Sequence, residues 1–74
     1  MYYVYVLKNI RDDFYIGYTK NVERRLAEHQ NQEDKSYKIV YYEVYAFEKD
    51  ARNRERRFKY YGSAWRALKK RFTA

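Results

Sequence analysis

YYVYVLK at residues 2–8 and FYIGYT at residues 14–19 flank the short run NIRDD at 9–13, and the reading of these positions decides the fold. Both flanks consist of β-branched and aromatic residues that favour extended backbone. The Asn and Asp cluster between them is turn chemistry, so the segment predicts a β-hairpin. With the turn centred near Ile10, Tyr5 is expected roughly opposite Tyr15 across the ladder. Gly17 stands in the middle of the second strand and is one of only two glycines in the chain. Glycine weakens a strand interior, so its presence there marks either a bulge or a close approach by another backbone or a ligand.

Beyond the hairpin, NVERRLAEHQ at 21–30 predicts a helix, with Asn21 as N-cap and Glu23 suited to the positive end of the dipole. Val22 and Leu26 trace its apolar stripe. At helical spacing Arg25 and His29 border that stripe, whereas Arg24 and Glu28 point elsewhere. After the polar loop NQEDKS, YKIVYYEVYAF at 37–47 is the longest strand signal and is expected at the centre of the sheet or at a well-covered edge. KDARNRERRFKYY at 49–61 predicts a second helix capped by Asp50, with Gly62 in the left-handed conformation that ends helices. SAWRALKKRF at 63–72 predicts a third, capped by Ser63, with Trp65, Leu68 and Phe72 as its apolar edge. The order β-β-α-β-α-α, uninterrupted by proline or linker, predicts an α+β fold of two layers in a single domain over residues 1–74.

Seventy-four residues form a small core of marginal stability. The chain has no cysteine and one histidine, which excludes disulfides, thiolate zinc sites and clustered-histidine metal sites. No apolar run approaches the ~18 residues of a membrane span, and MYYVYVLK lacks the features of a signal peptide. A cytoplasmic protein without membrane contact is therefore expected. Residues 1–48 hold seven basic and eight acidic side chains, whereas residues 49–74 hold ten basic and two acidic. That asymmetry points to a polyanionic partner, of which nucleic acid is the commonest. A solvated helical face or contact with acidic lipid would leave the same composition.

Glu55 is the charged residue in an unexpected place. It lies four residues after Ala51 and three before Phe58, on the face of the second helix traced by Ala51, Phe58 and Tyr61. A carboxylate turned inward requires a partner. An arginine of this basic helix would make it a buried ion pair; a hard divalent cation, completed by water and phosphate oxygens, would make it a metal ligand. With tyrosines on the hairpin and Arg25 and His29 on the first helix, it supplies what phosphodiester hydrolysis needs: a proton acceptor, a charge clamp and a metal site.

The chain resembles the GIY-YIG endonuclease superfamily, and most closely its small standalone bacterial members. YVY at 3–5 stands where the family has GIY, and YIG at 15–17 is intact. The spacing from Tyr5 to Tyr15 matches, as do NVERRLAEHQ, YKIVYYEVY, RERRFK and WRALKKR, so the resemblance covers essentially the whole chain. It implies a three-stranded antiparallel sheet flanked by helices, and a metal-dependent nuclease hydrolysing DNA, branched or single-stranded, in repair or recombination. Tyr5 and Tyr15 resemble the motif tyrosines, with Tyr5 accepting the proton of the attacking water. A phenol, with its ordinary pKa near ~10, would need nearby positive charge for this. Arg25 resembles the phosphate clamp, and His29 matches a histidine that shares proton transfer or orients a tyrosine. Glu55 resembles the ligand of one Mg²⁺ or Mn²⁺, Gly17 the motif glycine, and Tyr18 a motif-associated position. Arg52, Arg56, Lys59, Arg66, Lys69 and Lys70 are the expected DNA contacts. The alternative is a nucleic-acid-binding module of the same fold in which no bond is cut.

Overall fold

The computed structural model describes residues 1–73, excluding the side chain of Thr73. Strands β1 (Tyr2–Lys8), β2 (Phe14–Thr19) and β3 (Lys38–Tyr45) and helices α1 (Val22–Gln32), α2 (Glu48–Tyr60) and α3 (Gly62–Thr73) follow the order β-β-α-β-α-α. The strands form one antiparallel sheet in the order β2-β1-β3. The expected α+β fold with a three-stranded sheet is thus the one observed.

The hairpin register differs from expectation. Tyr5 pairs with Gly17, and Tyr15 pairs with Leu7. The turn centres on Arg11 rather than Ile10 because Asn9 organises it. The Asn9 Oδ1 accepts from the backbone N–H of Arg11 at 3.0 Å and of Asp13 at 2.9 Å, and its own N–H donates to the Asp13 carbonyl at 3.1 Å. Asp12 takes the left-handed conformation, with φ 65°, that closes the loop.

β1, not β3, is the central strand. Val4, Tyr5, Val6 and Leu7 are all buried, so both of its faces are covered, whereas β3 is an edge with Tyr42 and Val44 exposed. The long apolar run at 37–47 signalled length rather than position, and a shift of register between Val6 and Leu7 interrupts its pairing with β1.

Alternation along β1 divides the molecule. Val4 and Val6 pack with Ala51 and Phe58 of α2 and Leu68 of α3. Tyr5 points to the opposite face, where it meets His29 of α1. The sheet therefore lies between helices rather than under one layer of them. α3 presents Leu68, Trp65 and Phe72 as expected, with the Trp65 and Phe72 rings 5.3 and 5.6 Å from that of Phe14. The Glu43 carboxylate ties β3 to α2. It accepts from Arg54 Nε and Nη2 at 2.9 and 3.1 Å, from Tyr45 at 2.6 Å, and from Tyr41.

Caps were only partly legible. Asn21 caps α1, its Oδ1 accepting from the Arg24 N–H at 3.0 Å. Asp50 instead lies in the first turn of α2 with Glu48, where both complement the dipole, and the cap position is Phe47, without a side-chain bond. Gly62 is not left-handed; it opens α3, and Ser63 lies within that helix's first turn. The break falls one residue earlier, at an extended Tyr61 whose N–H returns to the Arg57 carbonyl, which also turns the Tyr61 ring out to solvent.

Candidate active site

Gly17 faces Tyr5 across the ladder, and this pairing organises the site. A Cβ at position 17 would lie 2.5 Å from the Tyr5 hydroxyl, 2.7 Å from its Cζ and 3.0 Å from a ring carbon of Tyr15. The glycine makes no bulge, since the β1–β2 register runs unbroken. It leaves the space that the Tyr5 phenol occupies. Tyr5 is 1% exposed, and its ring stacks on Tyr15 at 6.2 Å between centroids and 26° between planes.

α1 lowers two polar groups onto this pair. Tyr5 Oη lies 3.2 Å from His29 Nε2, and Arg25 Nη2 lies 3.4 Å from the same nitrogen. The buried His29 ring also sits 4.2 Å from that of Tyr15. On its outer side, His29 Nδ1 bonds the Glu33 carboxylate one turn further on. A carboxylate there holds the proton on Nδ1 and leaves Nε2 as an acceptor for the Tyr5 O–H. The helix phase separates the two arginines as expected: Arg25 is 33% exposed and faces the cluster, whereas Arg24 is 71% exposed. Arg25 also pairs with Glu28 at 3.3 Å, and the capped start of α1 sets the rotation that aims it.

Burial pushes the Tyr5 phenol above its ordinary pKa, and the charges of Tyr15 and Glu55 add to this; the hydrogen bond from Arg25 opposes it without prevailing. The expectation that neighbouring cations ready this phenol as a base is therefore not met by Arg25 alone. The same contact with Tyr5 raises the Arg25 guanidinium, which stays charged.

Glu55 approaches from α2. Its carboxylate is one-fifth exposed and pairs with Lys59 at 3.3 Å, and Lys59 Nζ lies 5.9 Å from the Tyr15 ring centroid. Its partner is thus a lysine on its own helix rather than a buried arginine. Among the described residues no three His, Asp or Glu side chains gather to hold a metal. Glu55 therefore offers a lone carboxylate, a donor set that suits a hard cation completed by phosphate and water, not a closed protein cage.

A model of the GIY-YIG catalytic domain matches residues 1–59, which contain all of these groups. The chain belongs to the GIY-YIG family. It is similar to a UPF0213 protein of Natronomonas pharaonis, 39% identical over 80 residues that cover 99% of this chain and 91% of that protein. A UPF0213 protein of Clostridium perfringens is 36% identical over 62 residues, covering 74% of this chain and 67% of that one. A third, from Limosilactobacillus reuteri, is 35% identical over 68 residues, 80% of this chain and 71% of the relative. No solved structure matches the chain at comparable significance.

In this GIY-YIG domain Tyr18 stands apart from the cluster. It packs against the Val4–Val6 core on the other face, with the Arg52 guanidinium 5.4 Å from its ring centroid. The six expected DNA contacts are divided between α2 and α3. Lys59 borders the cluster, and Arg56 is exposed on α2, where Arg52 pairs with Glu48 at 3.5 Å. Arg66, Lys69 and Lys70 belong to α3, which covers the face opposite Tyr5, and Lys69 lies 5.2 Å from the Phe14 ring centroid. Sequence reasoning missed Glu33. The signal was present, since Glu33 follows His29 by one helical turn, but the expected helix stopped at Gln30.

Proposed function

We propose that this GIY-YIG protein is a nuclease that hydrolyses DNA phosphodiester bonds with one divalent cation. The observation that carries the reading is the convergence of Tyr5, Tyr15, Arg25 and His29 from three elements, with the Tyr5 phenol seated in the space that Gly17 leaves. Arg25 clamps the scissile phosphate. Tyr5 takes the proton of the attacking water while passing its own to His29 Nε2, and Glu33 holds the imidazole in the tautomer that accepts it. This relay answers the raised phenol pKa, because the phenol need not ionise in advance. Glu55 holds Mg²⁺ or Mn²⁺, which would supply Lewis-acid stabilisation of the phosphoryl oxygens. A place in repair or recombination of branched or single-stranded DNA rests on the same reading.

Incubation with a panel of labelled DNA structures in Mn²⁺ or Mg²⁺, against an EDTA control, tests it. Metal-dependent products are expected from the wild type and none from Glu55→Gln, which should keep its DNA affinity. Mn²⁺ should raise the melting temperature of the wild type only, because a ligand specific to the native state stabilises it. Binding without products under every condition would return the chain to a nucleic-acid-binding module. A Glu55→Gln variant that melts much lower, with no Mn²⁺ shift in either protein, would make the Glu55–Lys59 pair structural.

A further inference from the structure

The face of the sheet that carries Tyr5 is only partly covered. Tyr5 pairs across the ladder with Tyr42, and Tyr3 pairs with Val44, so the β3 half of this face continues directly from the reactive cluster. Tyr42 and Val44 remain 56% and 48% exposed there. The Tyr3 and Tyr42 rings approach to 6.1 Å at 58°. Between them and the start of α1 opens a cleft of about 330 Å³, lined by Tyr3, Tyr42, Ile39, Val22, Lys20 and Glu23 among others. That volume lies at the small end of the ~300–1,000 Å³ range of ligand pockets and suits a planar heterocycle rather than a chain segment. Val22 of the cleft and Arg25 of the cluster are three residues apart on α1 and share a helix face, about 4.5 Å apart along the axis.

These features select a ligand with a flat aromatic ring tethered to an anion. We infer that the Tyr3–Tyr42 cleft is a stacking subsite for one unpaired nucleobase of the strand whose phosphate meets Arg25. The inference rests on the nuclease reading for its orientation and adds a subsite that requires an unpaired or splayed-out base next to the phosphate held by Arg25. Tyr42 offers its ring to a π-face, a contact tolerant of base identity. Lys20, its ammonium 5.4 Å from the Tyr2 ring centroid, and Glu23 both line the cleft and offset each other in charge, so Arg25 supplies the pull on the phosphate and the rings supply the stacking. A base inside a duplex is stacked on both sides and has no free face for Tyr42.

The test measures binding of oligonucleotides carrying 2-aminopurine, single-stranded or fully paired, in EDTA, so that no cleavage is required. Tyr42→Thr removes the ring and keeps strand propensity at an exposed position; Tyr42→Phe keeps the ring. Loss of one stacked base should weaken single-strand affinity roughly 5- to 150-fold in Tyr42→Thr and abolish quenching of the probe. Duplex affinity should be unchanged, and Tyr42→Phe should bind as the wild type does. Unaltered single-strand binding by Tyr42→Thr, or equal weakening on both substrates, overturns the proposal. So does a wild-type dimer in sedimentation that dissociates on the same substitution, since the face would then be covered by a second copy. A chain that never cuts but shows the single-strand effect refutes catalysis and leaves the subsite. Normal cutting with no effect at Tyr42 refutes the subsite alone.

Discussion

The absent side chain at position 17 matters as much as any present one. The Tyr5 hydroxyl would lie 2.5 Å from an alanine Cβ there, and that ring is too buried, and too firmly bonded to His29, to swing aside freely. Overpacking of this kind costs about 1–3 kcal/mol. Gly17→Ala is expected to lower the melting temperature by that equivalent and to remove cleavage by displacing the phenol from His29; activity retained at wild-type level in single-turnover assays would show that Tyr5 has slack. Glu33 acts through His29 rather than on substrate. Glu33→Ala should reduce kcat on the order of 10²-fold, the low end of what general acid–base catalysis contributes, with KM little changed. Glu33→Gln should recover part of the loss, because an amide oxygen also accepts from Nδ1–H. Nitrogen NMR of the imidazole gives an independent reading: a mixture of tautomers in Glu33→Ala, one tautomer in the wild type.

Helix α1 converts one turn of sequence into the site. Its rotation about its axis places Arg25 and His29 on the inner side and leaves Arg24 outside, and Asn21 fixes where that rotation begins. Two adjacent arginines of identical chemistry thus differ only by the angle between successive helical residues. Arg25→Ala is expected to slow cleavage by on the order of 10²–10³-fold, as for loss of one group that stabilises transition-state charge. Arg24→Ala should change it little. Equal effects in a single-turnover assay would place the substrate phosphate outside the cluster. At the other end of the chain, α2 and α3 are separated by a single extended residue, Tyr61, and together cover the opposite face of the sheet.

Taken whole, the molecule is a slab of 30 × 27 × 17 Å in which a three-stranded sheet lies between helices. So thin a body depends on ties between its elements, and the Glu43 cluster is one of them. Burial alone would raise the Glu43 carboxyl, but hydrogen bonds from Arg54, Tyr41 and Tyr45 outweigh it and hold the group below its ordinary value of 4.5. A depressed carboxylate stabilises the fold above its unfolded pKa, and that contribution is lost as pH falls through the folded one. Denaturant titrations of the wild type should therefore show stability falling as pH drops below about 4.5. Glu43→Gln should start less stable at neutral pH and show a shallower decline. Parallel curves for the two proteins would mean that Glu43 contributes nothing to the acid limb. The same cluster pushes Tyr45 up, through burial and its bond to Glu43, to about 12, so its share of stability is full below 10 and lost as pH rises through about 12.

The strands, the helices and their order were legible in residues 2–72 because each depends on local chemistry: β-branched and aromatic runs, an Asn–Asp turn, and apolar residues at helical spacing. The inward side of α1 was legible for the same reason, since a helix carries its own phase. Position within the sheet was not. β1 rather than β3 became central because Val4, Tyr5, Val6 and Leu7 are covered from two sides, a property of what packs on a strand rather than of the strand itself. The register that sets Tyr5 against Gly17 was decided by the Asn9 side chain closing the turn one residue later than the sequence implied. The site's electrostatics were likewise a tertiary outcome. Tyr5 is raised by burial, Glu55 is paired with Lys59, and Glu33 stands behind His29. Each depends on distances and desolvation that arise only once elements distant in sequence are packed together.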